Sequence, residues 1–343
     1  MSRPLLLALV CLALQAAEPL RVVATVPELG AIVRAVGGED VAVTVLARPG
    51  DDPHRVEARP SFTVELARAD LLVSTGFGLE ECWLKPLREN SGNPRIRDDQ
   101  GGHLQAQKAV RRPIGIDAIP KDEHGHGGGG ADGHQHADGN PHCLLDPAVG
   151  LLFAGQLAER LSAFRPQSGP QFSARLAAFS SALTVALAGA EVAAKADGAT
   201  LIDLDDRGAL GTWLAQQGLA GKLGGWWGAL AAHRDAALAA DHDLYPYLAR
   251  RFGLRIVLLI EPEPGVAPSA RRLAELTGHL REDGVRAILT SPYANRKAID
   301  LLAEKTGLKV AVLAHQAGAL PGTDDYIPWI DADVQALAKA LAP

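Results

Sequence analysis

Short β-branched runs alternate with longer helical stretches along most of this chain, and the runs are apolar on both faces. The sequences RVVATV (21–26), VAVTVLA (41–47) and DLLVSTG (70–76) read as strands in the first half. In the second half ATLIDL (199–204), AALAA (236–240), LRIVLLIEP (254–262), VRAILTSP (285–292) and LKVAVLA (308–314) read the same way. PELGAIVRAVGG (27–38) between the first two runs has helical spacing and a double-glycine stop, and helices are also expected over 60–69, 268–283 and 294–307. A strand buried on both faces needs helices on both sides, so the class is α/β with mostly parallel sheets. The 343 residues exceed one ordinary core. The stretch 171–196 has no proline and is rich in Ala and Leu, which predicts one helix of about 39 Å. The expectation is therefore two Rossmann-like lobes joined by one long α-helix, with bounds 18–166, 167–198 and 199–343. The Gly- and Trp-rich segment 205–227 gives no assignment.

Residues 1–17, MSRPLLLALVCLALQAA, place Arg3 before a short apolar stretch that ends in small residues. That is the order of a secretory signal peptide, with a core too short to span a bilayer. Val10 is larger than the small residue that lipid-attachment sites prefer before a cysteine, which counts against lipidation of Cys11. The net charge of −6 and pI near 6.0 exclude a basic nucleic-acid scaffold. Cys82 and Cys143 would remain after cleavage; a disulfide, two separate thiols, and Cys143 as a soft metal ligand are all open.

The chemistry lies in histidines. His54 follows the strand VAVTVLA, His142 immediately precedes a helix expected from Pro147, and His242 follows the apolar run AALAA. Ligands in open parallel sheets sit beyond the carboxyl ends of strands, so the three can converge on one cleft. Pro53 and Pro141 precede two of them and restrict the loop backbone. Three neutral imidazoles suit Zn²⁺ and leave one position for a further donor. The segment 122–140 adds His124, His126, His134 and His136 in a glycine-rich, acidic stretch with no apolar face to bury; it reads as a loop that binds transition metal weakly.

The motifs DPHRVEARPS (52–61), NPHCLLDP (140–147), DHDLYPYLARRFGL (241–254), EPEPGVAPSARRLAEL (261–276) and GALPGTDDYIPWI (318–330) together resemble the substrate-binding proteins of zinc and manganese ABC transporters, of the helix-linked cluster A-I type. The resemblance covers nearly the whole chain after residue 17. It implies two lobes clamping one ion, a stiff helix permitting small domain motion, and delivery to a membrane permease. Carried over, the ligands are His54, His142 and His242; a third histidine in place of a carboxylate favours Zn²⁺ over Mn²⁺. Two positions depart from the family pattern. Leu144 stands where an aromatic is usual, and the acidic ligand of the last strand-loop is missing from VLAHQAGALPGTDDY (312–326). His315 ranks first for the fourth ligand, with Asp325 as the alternative and water a third option, and Glu80 and Glu81 are expected at an acidic rim. The implied protein is a periplasmic monomer, not an enzyme, whose partners are the permease subunit and a zinc chaperone engaging the histidine-rich loop.

Two rival readings share the histidines. A zinc hydrolase also leaves a fourth position open, but the chain has no HExxH pair and no base at fixed spacing from a ligand. A periplasmic chaperone or adhesin would act without a transporter. The chain has no P-loop, so it is not the ATPase itself.

Overall fold

The computed structural model describes residues 18–97, 101–115, 139–261 and 266–343. The expected signal peptide (1–17) and His124, His126, His134 and His136 of the 122–140 loop lie outside the described residues. Two four-stranded sheets form, and every pairing in them is parallel. The first comprises β1 (Leu20–Ala24), β2 (Val41–Val45), β3 (Leu71–Ser74) and β4 (His103–Gln105), in the order β2-β1-β3-β4. The second comprises β5 (Ala237–Ala240), β6 (Arg255–Leu259), β7 (Ala287–Thr290) and β8 (Lys309–Val312), in the order β6-β5-β7-β8. The order is the same in both lobes: the first strand lies between the second and third. Strand order reverses at that point, opening a crevice at the carboxyl ends.

In the first lobe α1 (Pro27–Gly37), α2 (Pro60–Arg68) and α3 (Glu81–Asn90) follow the strands, the first two with proline in the opening turn. Helix α4 (Pro147–Phe164) begins at Asp146, whose side chain accepts from the Ala148 amide at 2.9 Å. Helix α5 (Gly169–Ala188) packs on α1 and α4 on one side and on the second lobe's helices on the other. Short helices α6 (Ala190–Ala193), α7 (Gly198–Asp206), α8 (Leu210–Gln216) and α9 (Gly225–Leu230) lead to β5. Helices α10 (Pro246–Arg251), α11 (Ala270–Glu282), α12 (Arg296–Thr306) and α13 (Tyr326–Leu341) complete the second lobe.

Two local expectations change, and one open question is answered. The helix expected over 171–196 stops at Ala188, because Gly189 turns with φ 82° and its Cα approaches the Gly224 backbone so closely that a β-carbon would sit 2.9 Å from it. ATLIDL is not a strand but lies in α7, started by the Asp197 carboxylate accepting from the Thr200 amide at 2.8 Å. Cys82 is exposed and Cys143 is buried, and no disulfide joins the two.

One continuous core runs through both lobes, from Leu29 and Ile32 of α1 through Phe153, Phe172 and Trp226 to Trp329 of α13. Tyr326 keys α13 into the first lobe: its hydroxyl donates to the Leu144 carbonyl at 2.8 Å. The ring lies against Gly150, where an added β-carbon would sit 2.2 Å from it. Gly150→Ala is therefore expected to destabilise by about 1–3 kcal/mol through overpacking, against the gain of about 1 kcal/mol that alanine brings to a helix interior. Chemical denaturation measures the sign directly.

Candidate metal centre

Two of the three histidine loops follow strands β2 and β5 and the third leads into α4, and each is pinned by side-chain hydrogen bonds to backbone. Trp83 donates its indole N–H to the Pro53 carbonyl at 2.9 Å, and the His54 amide donates to Asp52 Oδ1 at 2.9 Å. The His142 amide donates to Asn140 Oδ1 at 2.9 Å. Asn140 reaches across the lobes, its Nδ2 donating to the Asp243 carbonyl at 3.0 Å and to Asp243 Oδ2 at 2.9 Å. In the second lobe the His242 amide donates to Asp241 Oδ1 at 2.7 Å, while Asp241 Oδ2 accepts from the Ser291 amide at 2.7 Å and the Thr290 hydroxyl at 3.0 Å.

The outcome is a row of three half-buried imidazoles. His54 Nε2 and His142 Nε2 are 3.4 Å apart. Two nitrogens bound to one tetrahedral zinc at about 2.05 Å would be about 3.3 Å apart. Ring centroids are separated by 5.3 Å for His54 and His142, and by 6.4 Å for His142 and His242. Among the described residues no three such donors are yet drawn into a geometry that holds an ion; His242, on the second lobe, is the member standing further off.

His315 is buried in the turn after β8. Its position is set by Ala314, whose amide donates to Asp333 Oδ1 at 2.7 Å and whose carbonyl accepts the Trp329 indole N–H at 2.5 Å. His315 Nε2 faces the Asp51 carbonyl at 3.3 Å, and its ring meets Tyr293 edge-on at 4.4 Å. Burial pushes its pKa down to about 4, so the ring is neutral over the ordinary pH range. His315 and His142 line one cavity between the lobes, together with Glu28, Thr75 and Gln316. Asp325 is exposed at the start of α13.

The expected acidic rim takes a different form. Glu80 is buried and accepts from the Thr25 hydroxyl at 2.7 Å and the Thr75 and Gly76 amides at 2.7 and 3.2 Å, so it braces the turn after β3. Glu81 is exposed and pairs with Lys85 at 3.6 Å. Cys143 is wholly buried, and burial pushes its thiol well up. Leu144, in the family's aromatic position, is buried and gives its carbonyl to Tyr326.

Two features were invisible in the sequence because tertiary packing alone creates them. One is Glu28, in the first turn of α1, whose carboxyl is pushed up to about 8 by burial. The other is an ion-pair cluster beneath the histidine loops. Arg251 Nε and Nη2 donate to Asp146 Oδ1 and Oδ2 at 2.8 and 3.1 Å, and Arg251 Nη1 reaches Asp205 at 2.8 Å and Asp206 at 3.0 Å. Asp146 follows the His142 loop and Arg251 ends the helix after His242, so this bidentate pair ties the two loops together.

A family model, zinc-uptake complex component A, periplasmic, matches residues 22–201 and 222–340. The high-affinity zinc uptake system protein ZnuA of Paracoccus denitrificans is 28% identical over 340 residues, covering 95% of this chain and 93% of that protein. The zinc-binding protein AdcA of Streptococcus pyogenes serotype M6 is 23% identical over 300 residues, or 87% of this chain, which spans 50% of that relative's length. In fold the chain is similar to a ZnuA crystal structure with a TM-score of 0.67, 21% identity, and coverage of 95% of this chain and 100% of that one. It is also similar to Zn(II)-bound AdcA from Streptococcus pneumoniae, with a TM-score of 0.64, 20% identity, and coverage of 94% and 58%.

Proposed function

The chain belongs to the ZnuA family of periplasmic zinc-uptake components, and on that premise we propose that it captures Zn²⁺ between its two lobes and hands the ion to the permease subunit of an ABC transporter. The observation that carries this reading is the 3.4 Å approach of His54 Nε2 to His142 Nε2, with His242 of the other lobe next in the row. His54, His142 and His242 are the ligands, and a small advance of the second lobe brings the third imidazole in. Residues 18–166 and 199–343 are the two arms. All-imidazole ligation selects zinc over manganese. Of the two side chains weighed for the fourth position His315 takes precedence over Asp325, because it lines one cavity with His142 whereas Asp325 is exposed, and water is the third option.

The protein acts outside the cytoplasm, as its family does, and binds its ion rather than transforming a substrate. The 122–140 loop serves as a weaker collecting site, open to a zinc chaperone. The Streptococcus pneumoniae relative is a zinc-binding lipoprotein; in this chain Val10 before Cys11 favours a soluble periplasmic form. Zinc calorimetry on the protein lacking 122–138 tests the reading. One tight site is expected to survive the deletion, and its loss would refute ligation by the cleft histidines.

Acid competes with capture. An imidazole binds metal only when neutral, and its ordinary pKa is about 6.5. Affinity is therefore expected to hold above pH 7 and to fall by up to about tenfold per pH unit for each ligand protonated below about 6.5. His315 stays neutral down to about pH 4 and adds nothing to that slope. A flat competition titration between pH 7.5 and 5.5 would count against histidine ligation.

A further inference from the structure

The cavity that His142 and His315 line holds an unusual concentration of unanswered polar atoms. Glu28 Oε2, Thr75 Oγ1, His315 Nδ1 and both side-chain polar atoms of Gln316 are buried with no hydrogen-bond partner among the described residues. A buried polar atom left in that state costs about 1–3 kcal/mol, so four side chains converging on one space demand an occupant. The space itself has room for about one water. An apolar occupant would answer none of the four.

Three of the four side chains, Glu28, His315 and Thr75, match a single water. His315 Nε2 faces a carbonyl oxygen, which fixes the proton on that nitrogen and leaves Nδ1 an acceptor. Glu28 Oε2 is a second acceptor, and the Thr75 hydroxyl is a donor. A water that gives its two protons to Glu28 and His315 and accepts from Thr75 keeps one lone pair, and His142 stands on the same wall.

Resting on the three-histidine reading, we propose that Glu28 is the carboxylate of the metal site, acting through a water that it holds, with His315 and Thr75, as the fourth ligand of the ion. Glu28 is then a positioning residue, contributed by α1 of the first lobe. It brings to the cavity beside His142 the acidic side chain that the last strand-loop of this chain lacks, neutral while the site is empty and giving up its proton when the cation arrives. His315 contributes through the same water rather than by direct ligation. Outer partners of this kind are worth about 10- to 100-fold in metal affinity.

The test is zinc competition titration on wild type, Glu28→Gln and Glu28→Leu, with melting of the metal-free proteins and a zinc-bound crystal structure of the wild type. Zinc affinity is expected to fall in that order, by up to about tenfold for Gln, which still offers an acceptor, and 10- to 100-fold for Leu. The metal-free melting temperature should hold or rise, since a buried carboxyl is removed, and one water should touch both zinc and Glu28 Oε2. Leu binding zinc as tightly as wild type, loss of metal-free stability with unchanged affinity, or a side chain in the fourth position overturns the proposal. Loss of zinc binding in His142→Ala separates these outcomes from failure of the three-histidine reading, which would appear as a wild type whose zinc binding ignores His142.

Discussion

Alanine at His142 is expected to weaken zinc binding by about a thousandfold, or about 4 kcal/mol, while alanine at His126 changes it by less than about threefold. His142 is the middle of the row: its Nε2 faces His54 Nε2 at 3.4 Å, and its ring is 6.4 Å from that of His242. Removing it takes one of three nitrogen ligands and also separates the two that remain on opposite lobes. His126 belongs to the glycine-rich segment 122–140, where neighbouring histidines can replace it. Competition against a chelator of known affinity measures both variants. Equal losses would place the principal site in the loop.

The largest stability effect is expected at Arg251. The residue is 5% exposed and its guanidinium meets Asp146, Asp205 and Asp206. Arg251→Met would leave Asp146 as a buried carboxylate with only Arg250 Nη2, at 3.9 Å, as a counter-ion, and breaking one partner of a buried pair costs about 3–5 kcal/mol. For a protein of this size that is a fall of about 4–7 °C in Tm. Pairing Arg251→Met with Asp146→Asn removes the stranded charge and keeps a capping side chain for α4, so the double variant is expected to recover part of the loss. Saturating zinc should raise the melting temperature of both proteins and leave the gap between them in place, because only the folded protein binds the ion and both fold to the same site. Full stability in the single variant would mean that the pair does not tie the lobes.

Much of the architecture was legible because strands buried on both faces are hard to disguise. RVVATV, DLLVSTG and VRAILTSP each contain a strand, and the parallel class follows from the helices between them. Where side-chain capping decided the outcome, composition misled. ATLIDL is β-like in content, but Asp197 caps it as a helix, and the helix between the lobes ends at a glycine whose backbone contacts appear only after folding. Strand β4 is three residues of mixed polarity, too short to carry a period. The three histidines stood out because each lies at a strand end or helix start, two of them behind proline. Glu28 gave no such signal: it is one acidic residue in a helix first turn, ordinary in sequence, and only tertiary packing makes it buried.

The central claim is that imidazoles from both lobes meet around one ion, and anomalous scattering at the zinc edge from crystals of the zinc-loaded protein tests it most directly. The account predicts a dominant peak with His54, His142 and His242 nitrogens each at about 2.0–2.1 Å. A dominant peak elsewhere, or one touched by histidines of a single lobe, would contradict it.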